Sequence, residues 1–153
     1  DDVSIDNSVI LDSSVGSNTS VGPFAYIRPG STIGEACKVG DFVEVKNASM
    51  GNGSKSAHLT YIGDADIGEN VNLGCGVVFV NYDGKNKHRS TVGDGCFIGC
   101  NVNLVSPVDV GDGAYIAAGS TVTKDIPKDA LSVGRARQKN IENWATQRGL
   151  YRK

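Results

Sequence analysis

SVGSNTSVGPFAYIRPGSTIGEACKVG, residues 14–40, carries an aliphatic residue at every sixth position: Val15, Val21, Ile27, Ile33 and Val39. The series reaches back to Val9 and forward to Val45 without a miss. It resumes as Ile62, Ile67, Leu73 and Phe79, and again as Val92, Ile98, Leu104, Val110, Ile116 and Val122. A period of six matches neither a helix nor a long alternating strand. It fits a parallel β-helix of short strands and tight corners, in which each rung buries the edges of its neighbours. The aliphatic residue points into the prism. So does the small or β-branched residue two places earlier, as at Thr19, Ala25, Ser31, Cys37, Ala65, Ala114 and Ser120. Glycine after the aliphatic residue, with Asn and Asp, supplies the corner conformations.

The breaks in the rhythm carry as much information as the rhythm. Val45 to Met50 and Ile62 to Ile67 are steps of five. Between Phe79 and Val92 lies VNYDGKNKHRST, too long for a corner and marked as a turn by Asp83-Gly84, so a loop over about 80–91 leaves the prism. The pattern ends at Ile126-Pro127. This divides the chain into a β-helix over 1–127 and a tail over 128–153. Within the tail, NIENWATQRGL reads as a short helix capped by Asn140, stopped at Gly149 and anchored by packing of Trp144.

Composition narrows the function classes. Twenty glycines and 7% aromatics suit a fold of small side chains and repeated turns. A formal net charge of −2 gives no general attraction to nucleic acid or a membrane surface, and no apolar run is long enough to span a bilayer. The opening residues already read as the middle of a repeat, as expected of a piece of a longer protein. Cys37, Cys75, Cys96 and Cys100 form no CxxC pair, and two histidines are too few for a typical zinc set, so the cysteines read as reduced thiols of a cytoplasmic protein.

Stacking gives the first chemical clues. Arg28 follows Ile27 and Lys46 follows Val45 one turn later, so both project from one face, where two adjacent cations repel unless an anion sits between them. A phosphate would serve, and so would plain solvation. His58 falls two places after the inward slot of Ser56, which puts it outside, with Asp41 one turn below and Cys75 one turn above. It is either a solvated surface residue or a base able to titrate near neutrality, with Asp41 or Glu44 to orient it. The loop adds Asn81, Tyr82, Lys85, Lys87, His88 and Arg89, a set suited to an anionic or amide-rich ligand or to solvent.

The segments IRPGSTIG, VGDFVEVKNA, SKSAHLTYIGDADIGENVNLGCG, VNYDGKNK, FIGCN, AAGSTVT and ARQ together resemble one family over essentially the whole chain. It is the C-terminal acetyltransferase domain of the bacterial bifunctional N-acetylglucosamine-1-phosphate uridylyltransferase and glucosamine-1-phosphate acetyltransferases. The hexapeptide pattern is shared by many acyltransferases; the combination of RPG, HLTYIGDA and NYDGKNK is specific. The resemblance implies an all-β, left-handed parallel β-helix with three hexapeptides per turn. It implies acetyl transfer from acetyl-CoA to the amine of glucosamine 1-phosphate, giving N-acetylglucosamine 1-phosphate for UDP-N-acetylglucosamine and peptidoglycan synthesis.

On matching positions, the resemblance makes His58 the general base and assigns the sugar phosphate to Arg28 and Lys46. Tyr61 and Asn72 complete the sugar site, and Lys87 assists at the phosphate. Asn81 and Tyr82 contact substrate and coenzyme, Cys75 lies beside the thioester, and Cys100, Ala118 and Arg135 line the coenzyme. Several family members carry serine where this chain has Cys100, and the family pattern differs at Val77-Val78-Phe79. The resemblance also implies a homotrimer with sites at subunit interfaces. No metal is required for this half-reaction; magnesium would belong to the uridylyltransferase domain, which this sequence does not contain. A γ-type carbonic anhydrase would need three histidines per metal. An acyltransferase for another acceptor would have no use for the Arg28 and Lys46 pair, and a non-enzymatic β-helix none for the interrupting loop.

Overall fold

The computed structural model describes residues 1–150, so the last three residues of the 128–153 tail lie outside the described residues. The chain winds into a parallel β-solenoid with three faces. The first face has eight strands, the second seven and the third six, and successive members of each face lie one turn apart in the chain. Strands of two to four residues are as long as a six-residue period allows once a corner is subtracted.

The aliphatic series stacks into internal columns. On the second face Ile10, Ile27 and Val45 align, followed by Ile62 and then by the aligned Phe79 and Leu104. The rung length is not constant. Ile27 pairs with Val45, eighteen residues on, whereas Val45 pairs with Ile62, seventeen on. Leu73 pairs with Ile98, twenty-five residues on, because the inserted loop lies between them. Phe79, the bulky departure, is fully buried in its column. Val9 does not face inward: it is 52% exposed, and Ile10 aligns with Ile27 in its place. The first turn is shorter than the regular period, and a one-residue slip exchanges the inward and outward sides of a strand.

The steps of five are corners one residue shorter, turned by Asn47 (φ 46°) and Asp64 (φ 49°) in the left-handed region that Asn and Asp tolerate best after glycine. They matter for the site below. The expected loop is a compact hairpin between the strands Val78–Val80 and Ser90–Val92. Asp83 organises its tip by accepting from the backbone N–H groups of Lys85 (2.8 Å) and Asn86 (2.6 Å) and pairing with His88 Nε2 (2.7 Å). These bonds, led by that from Asn86, hold the Asp83 carboxyl down at a pKa of about 2.

The tail differs from expectation in two ways. The helix is one turn, Trp144–Gln147, entered through Asn143 rather than Asn140, and no side chain caps it. Trp144 is 44% exposed and the helix buries no residue, so it does not anchor the tail to the prism; Arg148 stacks over its ring at 4.8 Å instead. The C-terminal end is closed as the sequence suggests. Gly149 (φ 64°) donates to the Thr146 carbonyl and Leu150 to that of Ala145, the Schellman pattern that satisfies the last carbonyls. Among the described residues no helix is long and apolar enough to cross a membrane.

Ser56 puts a hydroxyl into a slot of an aliphatic column. It is fully buried, flanked along the column by Val39 and Leu73, and its hydroxyl has no hydrogen-bond partner among the described residues. An unsatisfied buried hydroxyl costs about 1–3 kcal/mol. Ser56→Ala is therefore expected to raise the thermal midpoint by roughly 2–4 °C for each kcal/mol recovered; an unchanged or lowered midpoint in a melting experiment would show that the hydroxyl is satisfied in solution.

Candidate active site

His58 closes the strand Lys55–His58 and Asp41 closes Lys38–Asp41, and the two are register partners on the first face. Their side chains leave the prism together, with His58 Nδ1 2.7 Å from Asp41 Oδ1. The close approach of these rungs depends on Gly40, where a Cβ would collide with the Ala57 carbonyl. The hydrogen bond to His58 holds the Asp41 carboxyl below its usual range; a carboxylate only accepts, so Nδ1 is the donor of this bond and Nε2 takes no part in it. Glu44, the other carboxylate that register brings near, is occupied elsewhere: Arg28 Nη1 donates to its Oε1 at 2.9 Å.

The second cation is also paired, so the picture of two free, mutually repelling charges is corrected. Lys46 Nζ lies 3.2 and 3.3 Å from the two oxygens of Asp64. Asp64 sits on the short corner one rung away, its side chain only 9% exposed. It also accepts from Asn47 Nδ2 (2.7 Å) and Asn81 Nδ2 (2.6 Å). Burial pushes the Asp64 carboxyl up, but the bonds from Asn47, Asn81 and Lys46 outweigh it and hold the group below its usual range. Asn81 reaches on to the Tyr61 hydroxyl at 3.3 Å, and the Tyr61 ring lies where a side chain on Gly63 would collide with it.

The hairpin is fastened beside this network. Arg89 grips the Asp66 carboxylate and donates to the Asn47 carbonyl at 2.8 Å and the Ala65 carbonyl at 3.3 Å. That brings Lys87 to Lys46, whose side chain and charge push the Lys87 pKa down. Lys46, Asn47, Asp64, Lys87, His88 and Arg89 line a cleft of about 420 Å³. Lys46 is paired with Asp64 and Arg89 with Asp66, which leaves Lys87 as the cation of this lining with no carboxylate partner among the described residues, a charge that suits an anion.

Not every residue expected at one site gathers here. Asn72 is on the first face, while Arg28, Lys46 and Tyr61 are on the second. Register carries the corner column of His58 through Cys75 and Cys100 to Ala118, where Arg135 Nη1 donates to the Ala118 carbonyl at 2.8 Å. Tyr82 is on the hairpin, exposed, with its hydroxyl donating to the Gly84 carbonyl at 2.7 Å. Sequence reasoning missed Asp64, Asn47 and Arg89 as organisers. The signal for the first two was the pair of five-residue steps, which marks the two corners whose left-handed residues meet.

The bacterial transferase hexapeptide repeat model matches residues 12–47 and 89–124. The chain is 60% identical over 148 residues to the bifunctional protein GlmU of Clostridium perfringens, which covers 97% of this chain and 33% of the relative. It is 56% identical over 152 residues to GlmU of Acetivibrio thermocellus, covering 99% and 33%. It thus spans about a third of the length of these relatives. Among solved structures, a mutant perosamine N-acetyltransferase from Caulobacter crescentus, in complex with CoA and GDP-perosamine, superposes with a TM-score of 0.67 at 21% identity over 76% of this chain and 53% of that one. The UDP-N-acetylglucosamine acyltransferase LpxA of Bacteroides fragilis gives 0.66 at 18% over 84% and 57%. At such identities these two share the fold. The repeats and the end-to-end match together show that the chain belongs to the bacterial hexapeptide-repeat family and corresponds to the C-terminal third of the GlmU proteins.

Proposed function

We propose that this chain transfers the acetyl group of acetyl-CoA to the amine of glucosamine 1-phosphate, producing N-acetylglucosamine 1-phosphate and CoA. The observation that carries the reading is a spacing. The His58–Asp41 pair stands at one corner and the Lys46 cleft at the far end of the adjoining three-residue strand, about 10 Å away at 3.3 Å per residue. Glucosamine 1-phosphate carries its amine and its phosphate on adjacent carbons, closer together than that interval, so the Lys46, Lys87 and Arg28 side chains reach toward the histidine corner to hold the phosphate while the amine meets the imidazole. His58 Nε2 takes the amine proton as nitrogen attacks the thioester carbonyl. The tetrahedral adduct then collapses, and the imidazolium returns a proton to the departing CoA thiolate. No covalent enzyme intermediate and no metal ion is needed for this direct attack.

The corner column of Cys75, Cys100 and Ala118 carries small side chains and ends at Arg135, a fit to an extended pantetheine arm with phosphates at its far end. Asn72 faces away from the cleft of its own chain, which is why a homotrimer fits: the first face of one copy would wall the second face of the next, as a pocket on a flat prism requires. Tyr61, Asn81 and Tyr82 then contact the sugar and the acetyl group from the cleft side.

The direct test is thiol release from acetyl-CoA with glucosamine 1-phosphate and, separately, glucosamine. Release that requires the phosphate is expected; equal rates with both amines would remove the phosphate role of Arg28 and Lys46. Lys46→Ala should raise KM for the sugar phosphate about 10–100-fold, the worth of one charge-assisted hydrogen bond, with kcat changed far less. A change confined to KM for acetyl-CoA would place Lys46 at the other substrate.

A further inference from the structure

The four cysteines fall into two chemically distinct pairs. Cys37 and Cys96 occupy inward slots, buried, with Sγ 3.2 Å from the Gly51 carbonyl and 3.1 Å from the Gly111 carbonyl, and burial pushes both thiols up in pKa. Cys75 and Cys100 stand outside, half-buried and exposed. They are also neighbours. Leu73 aligns with Ile98, so two residues further on Cys75 lies against Cys100 on the next rung. The backbones there are in contact: the Asn101 N–H donates to the Cys75 carbonyl at 2.8 Å, and a Cβ on Gly74 would lie 2.6 Å from the Cys100 nitrogen. Rungs about 4.8 Å apart bring the two Cα atoms within the interval of roughly 4.4–6.8 Å that a disulfide spans.

This pair also brackets the hairpin. The rung from Leu73 to Ile98 is the long one, and the inserted segment that carries Lys87 leaves and re-enters the prism between the two cysteines. Below Cys75 in the same column stands His58. A covalent link between Cys75 and Cys100 would therefore tie the base of the inserted segment and place a bridge against the histidine corner.

We propose that Cys75 and Cys100 form a thiol modification site that takes small disulfides of the glutathione class and closes into an inter-rung disulfide. One thiolate attacks the S–S bond of the reagent, forming a mixed disulfide and releasing one reduced thiol. The second thiolate attacks the protein sulfur of that mixed disulfide, forming the Cys75–Cys100 bond and releasing the second. The reagent gains two electrons, the cysteine pair loses two, and the two thiol protons leave with the released thiols. The pairing is independent of the acetyl-transfer reading; its effect on turnover rests on that reading.

The test treats the folded chain with oxidised glutathione, alkylates the free thiols and analyses peptides by mass spectrometry. The expected product has lost two hydrogens, carries a Cys75–Cys100 crosslink and retains Cys37 and Cys96 as thiols that alkylate only after unfolding. Cys100→Ser should instead stop at a stable glutathione adduct on Cys75, and dithiothreitol should reverse both. Two independent glutathione adducts on the unsubstituted chain, or both thiols left free, would overturn the proposal. Turnover in the thiol-release assay is expected to fall with closure and return with dithiothreitol. A closed pair with full turnover would establish the modification site and count against the placement of the thioester at Cys75.

Discussion

His58→Ala is expected to lower kcat for acetyl transfer to glucosamine 1-phosphate by roughly 10²–10⁴-fold, equivalent to about 3–5 kcal/mol of transition-state stabilisation. The amine of a sugar at neutral pH is largely protonated, and only its neutral form attacks a thioester, so removal of the base leaves the reaction to the binding groups alone. The expectation is specific because His58 contributes little to folding. Its side chain is 57% exposed and its one hydrogen bond is to an exposed carboxylate, the class of surface pair worth about 1 kcal/mol or less. The melting midpoint should therefore stay close to that of the parent while turnover collapses. Asp41→Ala should lower turnover less, because the imidazole keeps its basic nitrogen and loses only the partner that fixes the ring. Steady-state thiol release checks both variants. A His58→Ala protein that turns over at the parent rate would remove the base, and an Asp41→Ala defect larger than that of His58→Ala would mean that the carboxylate itself takes the proton.

The fold was legible because one physical constraint repeats. Turn after turn buries an aliphatic residue on each face, with exceptions such as Ser56, so the period of six survives corners of different chemistry, and the positions of Ile27, Ile33, Val39 and Val45 follow from counting. Counting also put Asp41 beside His58, since both follow an inward slot by two. It failed where the count itself changes. At Val9 a shortened turn exchanges sides, and in the tail Asn140 and Trp144 belong to no rung of the prism, so local helix signals had nothing to act against. The partners of the two cations were illegible for a different reason. Asp64 is neither an aliphatic slot nor an outward strand residue but the single left-handed residue of a shortened corner, and only the three-dimensional path of that corner turns its carboxylate under Lys46. The broken rhythm announced that something is unusual there without stating what it holds.

Asp64→Asn is expected to damage both the cleft and the fold. The change is nearly isosteric, yet Asp64 accepts from Lys46, Asn47 and Asn81 at once, and an amide offers one oxygen and one NH₂ where two acceptors were needed. One of the three donors then faces another donor in a site where the parent side chain is 9% exposed, and the Lys46 ammonium, itself 17% exposed, loses its counter-charge. Removing one partner of a mostly buried pair costs about 3 kcal/mol. Asn81 is also released from its bridge to Tyr61, so KM for the sugar phosphate should rise further than in Lys46→Ala. The pH dependence separates this account from a general packing defect. The folded-state pKa of Asp64 is lowered, so its ionic contribution is fully present above the unfolded carboxylate value of about 3.9 and disappears as pH falls through the lower folded value. The stability gap between parent and variant should accordingly be widest near neutrality and narrow under acid, as read from denaturant melts at pH 7 and pH 3. A gap that is the same at both pH values would assign the loss to shape rather than charge, and no gap at pH 7 would show that Lys46 does not depend on Asp64 for its place in the cleft.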